Sequence, residues 1–149
     1  MVDSHQSAQA AGPRPVGKAS AITALVARIF LGLIFVLAGT SGFVFLFTSV
    51  PPPPPGLAGS FQDVFFRSHW AQFVDGVELI AGVLLLVNRY VPLALTLLGA
   101  VIANILVFHL TMQPQTIPLP LVVVIAWGVL AYRYRANLAP LFEERPVVS

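Results

Sequence analysis

The chain contains no cysteine. That excludes disulfide exchange, thiolate nucleophiles, Fe–S ligation and S-palmitoylation on this chain, and it leaves the redox compartment without a marker. Charge is almost as scarce. Charged residues make up 9% of the 149 positions, against roughly 25% in a soluble globular domain. The formal net charge of +2 is too small to suggest a nucleic-acid partner. Clustered histidines are missing too: His69 and His109 lie far apart in sequence, so no metal or haem site is expected within the chain. Any electron-carrying centre is expected on another chain.

Apolar residues are abundant. They form 57% of the sequence, and the mean hydropathy is +0.86. One domain of this length cannot hide so much apolar surface in its own core. The excess must face lipid. The chain therefore reads as an all-α membrane protein, a four-transmembrane-helix bundle.

Taken in order, residues 1–21 are small, polar and punctuated by Pro and Gly, and read as a disordered cytoplasmic tail. Residues 22–135 form the membrane domain, with spans at about 24–47, 70–87, 91–110 and 119–134. The first run is too long for the roughly 7–15 apolar residues of a secretion signal. Residues 136–149 read as a second cytoplasmic tail. Pro51–Pro55 ends the first span and favours a stiff polyproline II spacer, with docking to an aromatic groove as the other use. Residues 59–76 then carry Phe61, Phe65, His69 and Phe73 at i+4 spacing, with Ser60 as a candidate cap. That pattern predicts an amphipathic helix in the first extracytoplasmic loop, serving as an interfacial belt or as a lid over a ligand. Pro92 suits the first turn of the third span, where its missing N–H costs nothing.

Four spans place the tails and the Asn88-Arg89 link on one side. Arg14, Lys18, Arg28, Arg89, Arg133, Arg135 and Arg145 belong to that side, against Arg67 on the other. By the positive-inside rule both termini are cytoplasmic, in the cell (inner) membrane. Arg28 is expected to snorkel to lipid phosphates.

The chemistry should centre on Glu78. A lone ionised carboxylate near the bilayer centre is unfavourable by at least ~2.5 kcal/mol, so Glu78 is expected to face other helices. There it either carries its proton or hydrogen-bonds to partners such as Asn104 and Thr40. Helical rise places Glu78 about 12 Å below Trp70, Asn104 about 9 Å below Leu110, and Thr40 with Ser41 about 10 Å below Phe47. Asp75 lies one turn from Glu78 on nearly the same face, and His109 at the outer end of the third span. Gly39, Gly42, Gly82 and Gly99 are placed to let backbones approach. Two readings stand. The polar groups line a small outward cavity that contacts a quinone head group or relays protons, or they are interhelical hydrogen bonds that fix register.

Three stretches resemble the DoxX family of small four-helix membrane proteins: Ala27 to Phe35 with its opening Arg, Val77 to Leu86 with Glu-Leu-x-x-Gly, and Asn104 to His109 with its late histidine. Gly39 to Phe43 stands where that family usually carries a basic residue. The resemblance implies a membrane subunit of a quinone-linked oxidoreductase, or a component of a membrane complex that handles oxidative stress. It carries over Glu78 as the acid and His109 as a site residue. The expected partners are the lipid bilayer and a further protein chain or second copy in the membrane. The alternative function is a non-catalytic scaffold acting through Pro51–Pro55 and the helix that follows.

Overall fold

A computed structural model describes residues 18–144. The expected tails at residues 1–17 and 145–149 lie outside the described residues. Within them the structure is helical, with no strand. Helix α1 spans Lys18–Val44, α2 Leu57–Arg67, α3 Trp70–Leu86, α4 Val91–Met112, α5 Pro118–Arg133 and α6 Arg135–Leu138. Short 3₁₀ turns, Pro114–Thr116 and Ala139–Phe142, complete the connections.

Helix α1 starts earlier than the first apolar run, because the Ala-rich stretch after Lys18 propagates helix well. It also ends earlier. The chain tightens at Phe43–Thr48 through short-range bonds such as Leu46 N to Phe43 O before the prolines, which cannot donate at all. Part of the tail expected at 136–149 is likewise ordered, as α6 and the 3₁₀ turn after it.

Four helices close a ring: α1 packs on α3, α3 on α4, α4 on α5 and α5 back on α1. The α1–α3 seam is the most extensive. Small residues explain why. A Cβ on Gly39 would lie 2.5 Å from Asp75 O and Leu79 N, and one on Gly82 would lie 2.9 Å from Val36 N. The two backbones touch where side chains are missing. The expected role of Gly39, Gly42 and Gly82 therefore holds. Gly99 differs: it makes room for the Trp127 ring, whose Nε1 donates to Leu95 O at 2.9 Å and ties α5 to α4.

The core runs inside this ring through Leu31, Phe35, Ala81, Leu85, Leu95 and Leu98. Large apolar side chains such as Leu37, Ile80, Val107 and Ile125 point outward, exposed. An exterior that carries this many large apolar side chains needs lipid around it. Helices α1 and α4 are each long and apolar enough to cross a membrane. Helices α3 and α5, at 17 and 16 residues, reach roughly 25 Å, and the described residues hold up to four crossing segments when each is joined to its bent neighbour.

The segment after the prolines departs from expectation. The Phe61–Phe73 stripe is broken, because α2 stops at Arg67 and the axis turns by 83° into α3. His69 makes that corner at φ 61°, a left-handed conformation uncommon for a residue with a side chain. Ser60 does not cap. It sits inside the first turn and donates to Gly56 O at 3.3 Å. The aromatic rings of α2 instead bridge neighbours: Phe66 meets Phe45 at 5.2 Å between centroids, and Phe61 meets Phe108 at 5.4 Å. The Arg67–Asp63 ion pair at 2.6 Å is exposed and contributes little.

The α3–α4 link is as tight as its sequence suggests. Asn88 and Tyr90 take positive φ, and Arg89 N reaches back to Leu84 O. Arg28 corrects the snorkelling expectation. Its Nη1 donates to Leu85 O at 2.7 Å, so the guanidinium turns inward and caps the C-terminal carbonyls of α3. A cation there meets both unpaired acceptors and the negative end of the helix dipole.

Candidate functional site

One stripe of α3 faces the other helices: Ala71, Asp75, Glu78, Ala81, Gly82 and Leu85 are its buried residues. The 3- and 4-residue spacing is that of a single helix face. It puts two carboxyl groups one turn apart against the glycine-lined stretch of α1. Asp75 is 7% exposed and Glu78 6%.

Asp75 is tied to α1 through one carboxyl oxygen. Its Oδ2 accepts the Gly42 N–H at 2.6 Å and the Ser41 hydroxyl at 3.4 Å. One turn earlier Gln72 Nε2 donates to Gly42 O at 3.0 Å. Two side chains of α3 thus hold the backbone N–H and C=O of one α1 residue, Gly42. A glycine is required there, since a Cβ on Gly42 would run into the Asp75 carboxylate. This clamp fixes the register of α1 against α3. Gln72 Oε1 is buried without a partner.

Glu78 stands apart from the clamp. Among the described residues no side-chain hydrogen bond reaches its carboxyl group, although it is as buried as Asp75. Each is a carboxyl group, a type of side chain able to take up and release a proton. The arrangement can therefore hold a proton.

The structure brings together fewer of the expected residues than three helices would supply. Ser41, Asp75 and Glu78 share the α1–α3 seam. Thr40 is exposed and donates to Leu37 O within its own helix. Asn104 is exposed as well, donating to Ala100 O at 2.9 Å, and does not reach Glu78. His109 is half-buried, with Nδ1 2.8 Å from Ile105 O and its ring beside Phe108. Helical phase is the reason. The buried stripe of α4 runs Leu95, Leu98, Val101, Ile102, and Asn104 falls off it. Gln72 was missed, although its place one turn before Asp75 marks it as a companion. No group of three or more metal-ligating side chains occurs among the described residues.

Removing the Asp75 carboxylate should expose what the clamp contributes. Asp75→Ala is expected to lower stability by roughly 1–3 kcal/mol, because the bonds it accepts from the Gly42 N–H and the Ser41 hydroxyl would be lost. Asp75→Asn, which keeps a carbonyl acceptor, should recover most of it. Thermal unfolding in mild detergent reads both. Equal midpoints for Asp75→Ala and wild type would refute the clamp.

Comparison with known families gives one result: the DoxX family model matches residues 23–110. Among curated proteins and among solved structures, nothing matches the chain. The matched segment holds nearly all of α1, the whole of α2 and α3, and α4 as far as Leu110, which is more than half of the 149 residues. With its apolar helices and lipid-facing exterior, the chain is a membrane protein and belongs to the DoxX family.

Proposed function

We propose that the chain is an integral membrane subunit of a redox system, in which Glu78 holds or relays the proton that accompanies electron transfer to a quinone. The observation behind this reading is the contrast between two acids. Asp75 is satisfied by α1, whereas Glu78 is equally buried and has no side-chain hydrogen bond among the described residues. A buried acid with no structural partner is costly, and function is the default reason for retaining one. The electron-carrying centre and the quinone pocket would be completed by a partner chain.

In this reading α1, α3, α4 and α5 form a four-helix bundle of four spans, α2 lies at the outer interface, and both termini are cytoplasmic. Arg28, Arg89, Arg133 and Arg135 at one end, against Arg67 near the other, support that orientation. Replacing Glu78 by Gln tests the assignment: quinone-linked turnover should be lost in membranes that still contain the folded chain.

A scaffold role is the second reading, favoured by the exposure of Pro51–Pro55 and of Phe61 and Val64 on α2. It expects deletion of the five prolines to release a membrane partner from affinity-purified complexes, with turnover lost only as a consequence. Undiminished partner recovery would count against it.

A further inference from the structure

At the end of the ring opposite α2, helices α1 and α5 and the α3–α4 link line an open cavity of about 190 Å³. Arg28, Asn88, Arg133 and Tyr134 supply its polar lining, with Ala24 and Leu130 as its apolar wall. Beside it, sharing Ala24 and Arg133, an open groove of about 660 Å³ follows the α1–α5 seam past Val129, Tyr132 and Arg135. Three arginines therefore face one continuous depression, and among the described residues no carboxylate lines either part.

The cations are differently committed. Arg28 spends Nη1 on the α3 carbonyls, which fixes the guanidinium and leaves its other N–H donors. Arg135 is held over the Tyr132 ring at 4.5 Å and donates to Tyr132 O at 3.0 Å. Arg133 forms no ion pair with any described residue. Half-buried Arg28 and exposed Arg133 have no counter-ion among the described residues, and positive charge so placed calls for an anion. The cavity holds the space of about six waters, sufficient for a phosphate, and Leu25 and Val129 continue from it as apolar lining. A free phosphate would use the arginines alone. A phospholipid would use the arginines and the apolar seam together.

We propose that the α1–α5 seam binds one anionic phospholipid, its phosphate diester held by Arg28 and Arg133 and its acyl chains lying along the seam. Basic pockets between membrane helices are general sites for such head groups. The site is separate from Glu78 and independent of any redox role.

Native mass spectrometry of the full chain in mild detergent tests this, with phosphatidylglycerol or phosphatidylcholine of matched chains. One phosphatidylglycerol should be retained in preference to phosphatidylcholine, on the order of 20-fold at about 5-fold per arginine. Arg133→Gln should reduce that preference about 5-fold, whereas Arg89→Gln, at the same end but outside the cavity, should leave it unchanged. Thermal unfolding checks that both variants are folded. Equal retention of the two lipids would overturn the site, as would equal losses from Arg133→Gln and Arg89→Gln. Release of the lipid by millimolar glycerol phosphate would overturn the lipid assignment in favour of a soluble phosphate ester. Failure to release it supports the lipid.

Discussion

Glu78→Gln is expected to lower quinone-linked turnover by about 10²–10⁴-fold, the usual worth of a positioned acid or base, while the protein inserts and unfolds as wild type does. Glutamine matches glutamate in shape, so packing at the stripe of α3 is preserved. It cannot release or accept a proton in the required range. No side-chain hydrogen bond to Glu78 is present among the described residues to be broken, which is why stability should barely move. The assay compares membranes containing wild-type chain, the variant, and no chain at all. If removing the chain leaves turnover intact, the redox assignment fails at the level of the system. If removal abolishes turnover but Glu78→Gln does not, the chain belongs to the system and Glu78 is only part of its packing. Asp75→Ala provides the contrast, since its loss should register in unfolding.

The second large effect belongs to Gly39. Gly39→Ala places a methyl group 2.5 Å from Asp75 O and Leu79 N. Both are backbone atoms of α3, so no rotamer change can yield, and the helices must move apart. Overpacking of this kind costs roughly 1–3 kcal/mol. The separation also strains the Gly42 clamp one turn away, so turnover should fall with stability. Gly128→Ala is the matched control: nothing lies within 4 Å of the added Cβ. There the better helix propensity of alanine should leave stability unchanged or raise it by about 0.5–1 kcal/mol. Equal unfolding midpoints for Gly39→Ala and Gly128→Ala would mean that the α1–α3 contact is looser than described.

Much of the chain was legible before its structure. Low charge and long apolar runs required lipid, because no core of this size could absorb them. Pro51–Pro55, Asn88-Arg89 and Pro92 mark ends and turns through backbone chemistry that acts locally. Glu78 drew attention through cost alone, since an acid in an apolar run needs a reason wherever it points. The family resemblance rested on the same segments that the family match covers.

Partners were a different matter. In a soluble helix, polar residues reveal which face is outward; here lipid and core are both apolar, and the helices carry nearly the same residues all round. Their rotational phase is therefore hidden. Asn104 and Thr40 lie at suitable depths yet face away, and each turns its polar group back to its own helix. Gln72 and Asp75 acquire meaning only because α1 presents the Gly42 peptide to them, a contact spanning 30 and 33 residues. The turn at His69 likewise follows from rings docking on Phe45 and Phe108, which local periodicity cannot register. Arg28 was read as reaching for lipid alone, without a protein partner, because its helix was considered by itself. The carbonyls it caps come from a helix end 57 residues away. Sequence by itself determined that this protein lives in lipid and which residue is costly there. Packing decided which side chains meet, because only the docked helices set rotation and register.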